Sequence, residues 1–162
     1  MKESKNENGF GLVELLIALA ITALLLVAVA VAFNASVMSY SQNEDMFKAV
    51  NSARQALVRI TTQLRTGYWV DPCAPSNECS FYTAGGDNIT YDYRVTDNKL
   101  YLITNSDSQE YVLCDNITSM SFVKSPTDDG SDTKSVQISI TVSSGDVQQT
   151  VSSAAVIRRT PN

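Results

Sequence analysis

The chain has 162 residues, a formal net charge of -5 at neutral pH and no histidine, and a length of this order suits one modest core with an appendage. Without histidine, Ser-His and Cys-His nucleophiles and Cys/His zinc sites are excluded, and the sequence also lacks a phosphate-binding glycine loop. We therefore expect a protein that is not an enzyme and that has no cofactor.

An apolar block lies close to the N-terminus. It runs from Leu15 to Phe33 without a charged residue, and Thr22 is its single polar side chain. As a helix this block rises roughly 28 Å, which approaches the hydrocarbon thickness of a bilayer and exceeds the roughly 7 to 15 residues of a signal-peptide core. The block predicts a membrane span, and Lys2 and Lys5 ahead of it favour a cytoplasmic N-terminus.

The helical pattern continues beyond the apolar block in an amphipathic form. Apolar residues recur at gaps of three or four, which is the spacing of one helix face: Phe47, Val50, Ala53, Leu57, Ile60 and Leu64. No proline or glycine interrupts this stretch before Gly67, which we expect to end the helix. The sequence therefore predicts a membrane-spanning part over residues 10–33 and an amphipathic continuation over 34–66.

Three cysteines follow the helix, at positions 73, 79 and 114. The close spacing of Cys73 and Cys79 predicts a disulfide that closes a small loop, provided that the compartment is oxidising. Cys114 is then left over. It either takes one of those two as its partner or stays buried as a small apolar residue.

Alternating side chains predict strands in the remainder of the chain. Ile89, Tyr91, Tyr93 and Val95 alternate with polar residues, and the turn that follows leads into a hairpin partner at Leu100–Thr104. Further strands are predicted at residues 111–114, 119–124, 136–142 and 147–157. The expected fold class is α+β, with residues 67–162 forming an antiparallel sheet head that the long helix covers on one face.

Acidic residues outnumber basic ones in the predicted head. This excess argues against nucleic-acid binding, because an acidic surface repels phosphate backbones. Within it, Asp128, Asp129 and Asp132 surround a glycine and form a weak candidate for a hard cation such as Ca²⁺. The spacing is not that of an EF-hand, so a polar turn between two strands is the preferred interpretation.

The residues at the start of the apolar block form a specific motif. The stretch Gly9-Phe10-Gly11-Leu12-Val13-Glu14, followed by the apolar run, resembles the N-terminal signature of type IV prepilins and type II secretion pseudopilins. The resemblance implies that residues 1–9 are a leader, that prepilin peptidase cleaves after Gly9, and that the new N-terminal amine of Phe10 is methylated. Gly11 stands where the family more often has threonine or serine.

A carboxylate at the edge of an apolar helix needs a physical reason. Glu14 costs on the order of 2.5 to 3.5 kcal/mol at the centre of a membrane helix unless it finds a partner. If Phe10 becomes the N-terminus, its ammonium could meet the Glu14 carboxylate of a neighbouring copy, and the resemblance implies such a role in subunit assembly. The alternative is a glutamate that reaches the headgroups.

A looser resemblance extends over the rest of the chain. Residues 52–65, the strand pair 89–102, residues 113–122 and the ending at 156–159 are similar to a J-type minor pseudopilin of type II secretion and to a W-type minor pilin. This implies hetero-oligomeric assembly with other pilin or pseudopilin subunits near a filament tip. The head would be periplasmic and the single-pass anchor would lie in the inner membrane.

Other interpretations stay open from the sequence alone. An ordinary secretory signal could be cleaved near Ala30 or Ala32, where small residues are suitably spaced. A plain uncleaved anchor is another possibility. The alternative function is a secreted or membrane-anchored binding domain, such as an adhesin or a DNA-uptake minor pilin, outside a secretion pseudopilus.

Overall fold

The structure, a computed structural model, describes residues 11–158. A long helix, α1 (Leu12–Thr66), comes first and antiparallel strands follow, so the predicted α+β class is confirmed. The strands are β1 (Trp69–Val70), β2 (Glu78–Tyr82), β3 (Asn88–Arg94), β4 (Lys99–Thr104), β5 (Gln109–Cys114), β6 (Ile117–Pro126), β7 (Thr133–Ser144) and β8 (Val147–Val156).

The chain divides into two compact units, Met1–Ser41 and Gln42–Asn162. Within the described part of the first unit the chain is helical from Leu12, and its large apolar side chains are exposed. The second unit contains the rest of α1 and every described strand; we call it the head. The predicted division after residue 9 lies outside the described residues. The division after residue 33 stays a prediction, and α1 continues through this residue without a break.

The head buries one face of α1. Its buried positions are spaced by three or four residues, as predicted: Met46, Ala49, Val50, Ala53, Ala56, Leu57, Ile60, Thr61 and Leu64. Phe47 was expected on this face and is instead 71% exposed. The prediction was wrong there because Met46, seven residues before Ala53, lies on the buried stripe, and the next residue of a helix is rotated by about 100° away from it.

The strands form two sheets rather than the single sheet that the sequence predicts. Sheet A has the order β1-β2-β3-β4-β5, and sheet B has the order β6-β7-β8. Every neighbouring pair is antiparallel. The chain leaves sheet A at Asn116, which has a φ of 55°. Asparagine tolerates this left-handed conformation better than most residues, so the chain can turn sharply into β6.

Gly67 ends the helix, as predicted, and its N–H donates to the Gln63 carbonyl at 3.0 Å. The reason for glycine at this position is steric. A Cβ on Gly67 would lie 3.1 Å from both the Phe81 ring and the Tyr82 carbonyl oxygen. A side chain at residue 67 would therefore force its neighbours on β2 to move by a few tenths of an ångström, and glycine avoids this shift.

A single apolar core joins α1 to both sheets within the head. Ile60 and Leu64 come from the helix, and neither is exposed to solvent. Fully buried partners come from sheet A and sheet B: Phe81, Tyr91, Leu100, Ile117, Ile138 and Ile140. Burial of one such large apolar side chain contributes about 1.5 to 3 kcal/mol, so this cluster is the main stabilising element of the head.

Candidate functional site

The start of α1 is capped by its own glutamate. Glu14 Oε2 accepts a hydrogen bond from the Gly11 N–H at 3.1 Å. The Leu15 N–H donates to the Gly11 carbonyl at 3.2 Å, which makes Gly11 the residue that precedes the first helical turn. A glutamate at the third helical position commonly reaches back in this way and satisfies an otherwise unpaired donor. The carboxylate is thus turned toward the N-terminal end of the helix.

The segment that follows Glu14 exposes an uninterrupted apolar surface. The helix contains a window with a mean hydropathy of 3.0, long and apolar enough to cross a membrane, and none of that window is buried. Its one polar side chain is satisfied internally, because the Thr22 hydroxyl donates to the carbonyls of Ala18 at 2.8 Å and Leu19 at 2.9 Å. Such a surface is stable only in contact with lipid or with other apolar helices.

The predicted cleavage site at Gly9 and Phe10 lies outside the described residues. The sequence around it can nevertheless be compared with known families. Residues 4–30 match the prokaryotic N-terminal methylation motif. This motif is the signal of type IV pilins and pseudopilins, so it supports a pilin-like precursor that prepilin peptidase cleaves. Comparisons with curated proteins and with solved structures yield no match.

The matched motif and the apolar helix lead to the same general function. They support a structural subunit that assembles with other pilin subunits rather than an enzyme. The apolar helix close to the N-terminus fits a protein anchored in the inner membrane. Glu14 is the described residue of the motif that carries a charge, and it therefore defines the candidate functional site.

The cysteines do not pair in the structure. Cys73 is exposed, whereas Cys79 and Cys114 are buried, and all three are free thiols. Cys79 lies on β2 opposite Tyr91 and belongs to the apolar core. Burial raises the pKa of Cys79 to about 12. Cys79 therefore contributes to the head as an apolar core residue, and a Cys73–Cys79 disulfide in an oxidising compartment stays a prediction.

A lysine holds the loop that the disulfide was expected to close. The Lys124 ammonium on β6 donates hydrogen bonds to the carbonyls of Ala74 at 2.6 Å, Pro75 at 3.0 Å and Glu78 at 2.8 Å. Burial lowers the pKa of this ammonium. One cation thus satisfies three backbone acceptors and ties sheet B to the loop before β2. No periodicity or motif in the sequence distinguishes Lys124 from a surface lysine.

The loop between β6 and β7, which contains Asp128, Asp129 and Asp132, also holds two parts of the head together. Asp132 is buried, and its Oδ1 accepts from the backbone N–H of Val70 at 3.0 Å and from that of Thr133 at 2.6 Å. The Trp69 indole N–H donates to the Ser131 carbonyl at 3.3 Å. The loop therefore attaches β1 to sheet B, which sequence reasoning had not anticipated for Asp132.

The other weak metal candidates have protein partners or lie at the surface. Hydrogen bonds from the Thr127 hydroxyl and from Ser131 lower the pKa of Asp129 to about 2. Asp128 is exposed. Across residues 11–158, no group of three or more acidic, cysteine or histidine side chains is placed to hold a metal ion. The described geometry of this loop is that of a polar turn.

Proposed function

We propose that the chain is a minor pilin-like subunit of a type II secretion pseudopilus or a type IV pilus. Prepilin peptidase removes residues 1–9, and the amine of Phe10 is methylated. The mature helix then leaves the membrane and packs among the helices of other subunits near the filament tip. The N-terminus starts in the cytoplasm, and the head is periplasmic.

The single observation that carries this proposal is the position of Glu14. It lies in the first turn of an exposed apolar helix and turns its carboxylate toward Gly11. Cleavage after Gly9 would create an ammonium one residue before Gly11. The carboxylate of one subunit and the ammonium of its neighbour could then pair at the same depth of an apolar helix bundle, where such a pair is weakly screened.

The head supports a structural role for the subunit. The resemblance to J-type minor pseudopilins and W-type minor pilins covers the second half of α1, the β3–β4 hairpin and the junction from β5 to β6. These segments supply core side chains and sheet pairing rather than a constellation of reactive groups. The proposed partners are accordingly other pilin or pseudopilin subunits, in a hetero-oligomer.

A charge-removal experiment on α1 tests the proposal. Glu14→Ala is expected to leave processing by prepilin peptidase intact but to reduce incorporation of the subunit into sheared filaments by about tenfold or more. Glu44→Ala is the matched control, because Glu44 is an exposed carboxylate of the same helix that pairs with Lys48 at 2.7 Å. Normal incorporation of Glu14→Ala would contradict the proposal, as would an equal loss in both variants.

A further inference from the structure

Among the strands of residues 11–158, β8 has a neighbour on one side only, so its other edge is open. One side of β8 pairs with β7. The Ile157 N–H lies on that side and donates to the Lys134 carbonyl at 3.1 Å. On the outer side the Ala154 carbonyl accepts from Arg65 Nη2 at 3.4 Å. Backbone groups of successive residues alternate between the two sides of an antiparallel strand. The N–H and C=O groups of Gln148, Thr150 and Ser152 therefore face outward.

The other described edge strands are partly covered, charged or short. On β6, the Phe122 N–H is bonded to the Ser76 carbonyl at 2.7 Å, and the strand ends at Pro126. β5 carries Glu110, which is paired with Arg94 at 2.6 Å, and β1 has only 2 residues. In contrast, β8 has 10 residues and contains no charge, proline or glycine. Long uncharged edges of this kind readily pair with an added strand.

A groove between α1 and β8 lies next to this edge. One part has a volume of about 360 Å³ and is lined by Arg54, Val58 and residues 151–153, among others. A second part, of about 270 Å³, is lined by Phe47, Arg54 and Gln149 with three further residues. Val58 and Phe47 are 64% and 71% exposed. An extended chain beside β8 would thus place alternate side chains against apolar surface.

The charge of the groove indicates the character of its occupant. Arg54 lines both parts, and Arg65 reaches the outer edge of β8 at Ala154. Among the described residues, no acidic side chain lines either part. The chain as a whole is acidic, with a net charge of -5, so this basic flank is locally distinct. Carboxylates of an incoming strand would meet arginine rather than like charge.

We propose that β8 binds an extended, acidic segment of a partner protein, which adds to sheet B as a fourth strand. Backbone hydrogen bonds to Gln148, Thr150 and Ser152 hold the segment. Its apolar side chains contact Val58, and its carboxylates lie near Arg54. The interaction needs only the head and does not depend on processing at Gly9, so its failure is distinguishable from failure of the proposed function.

The test uses the full-length protein in detergent micelles and two dye-labelled peptides as long as β8. One peptide alternates valine with glutamate, and the other alternates valine with lysine. We expect the glutamate peptide to bind at least about tenfold more tightly, as measured by fluorescence polarisation. Its binding should also slow hydrogen exchange of the Gln148, Thr150 and Ser152 amides, because these groups gain partners.

Two pairs of variants test whether the peptide binds at the edge of β8 and next to Arg54. Ser152→Pro removes an outward N–H without removing a bond to β7, and should weaken binding about tenfold, whereas Ser152→Ala should bind normally. Arg54→Glu should abolish the preference for the glutamate peptide, whereas Lys99→Glu, with the same change in charge on sheet A, should retain it. Circular dichroism verifies that each variant is folded.

Three outcomes would overturn the proposal. The first is equal affinity for the two peptides or no binding of either at millimolar concentration. The second is tight binding by Ser152→Pro. The third is self-association of the chain that disappears in Ser152→Pro, which would assign β8 to a second copy instead.

Discussion

Glu14 Oε2 accepts a 3.1 Å hydrogen bond from the backbone N–H of Gly11, three residues earlier. This bond gives the glutamate a capping role within a single chain, in addition to the proposed pairing between subunits. The two roles make different demands on the side chain. Capping needs an acceptor oxygen, whereas pairing with an ammonium needs a negative charge.

Glu14→Gln separates these roles. Glutamine keeps an oxygen that can accept from Gly11 but has no charge. We expect normal helicity and processing, together with a loss of filament incorporation as large as that of Glu14→Ala. Immunoblots of sheared filaments and membrane fractions provide the measurement. Full incorporation of the glutamine variant would show that the cap, not the charge, is what assembly requires.

Removal of the Lys124 ammonium should destabilise the head. Lys124→Met keeps most of the apolar stem but leaves the carbonyls of Ala74, Pro75 and Glu78 without this donor. We expect the free energy of unfolding to fall by about 2–4 kcal/mol. Denaturant titration of the full chain in detergent, followed by the fluorescence of Trp69, measures this change. Lys134→Met is the control, and an equal effect there would contradict the account.

The buried carboxylate of Asp132 should matter more than its exposed neighbour. Asp132→Ala removes the acceptor for the N–H groups of Val70 and Thr133, and we expect a loss of about 2–4 kcal/mol. Asp132→Asn retains one acceptor oxygen and should lose less. Asp128→Ala, at the surface, should change stability by less than about 0.5 kcal/mol. The same fluorescence titration compares the three, and equal losses would show that the bonds of Asp132 are unimportant.

Alkaline pH should destabilise the head through its buried thiol. Burial raises the pKa of Cys79 from its ordinary value of 9.0 to about 12. The unfolded state therefore loses this proton first, so the stabilising contribution is complete below pH 9 and declines as the pH rises toward 12. The slope of this decline reaches about 1.4 kcal/mol per pH unit between about pH 10 and pH 11, where the thiol is ionised in the unfolded state and still protonated in the folded state. Burial also raises the pKa values of Cys114 and Tyr91, so ionisation of these groups in the unfolded state further lowers the stability of the head at alkaline pH.

Measurements of unfolding from pH 8 to pH 11 determine this slope. Cys79→Ala should be less stable at pH 8 but should show a shallower decline, because one titrating group has been removed. Cys73→Ala, which alters an exposed thiol, should keep the slope of the unmodified chain. A decline that Cys79→Ala leaves unchanged would rule out this thiol as a source.

Local pattern accounts for much of the fold. The helix through Thr66 and the hairpins β3–β4 and β7–β8 follow directly from spacing, because their periodicity reflects which residues meet the core. β2 was missed although Cys79 and Phe81 alternate with polar residues there. The sequence predicts a loop closed by a disulfide there instead of a strand, because prolines precede these residues. The division into two sheets depends on which strands pair over long distances, and local pattern does not contain that information.

The candidate site was only partly accessible from sequence. Glu14 stood out because a charge at the edge of an apolar helix is costly. Lys124 and Asp132 did not stand out, because their roles come from backbone groups that tertiary folding brings to them. The open edge of β8 is also invisible in sequence, since whether a strand has one neighbour or two depends on sheet order.

The N-terminus of the mature protein is the most direct test of the central claim. The full-length gene would be expressed together with prepilin peptidase, and the membrane-extracted protein would be examined by intact mass and N-terminal sequencing. We predict a terminus at Phe10 whose amine carries one methyl group. A terminus near Val31 or Phe33 would indicate an ordinary secreted domain, and an uncut Met1 a plain membrane anchor; either result would contradict the assignment as a pilin-like subunit.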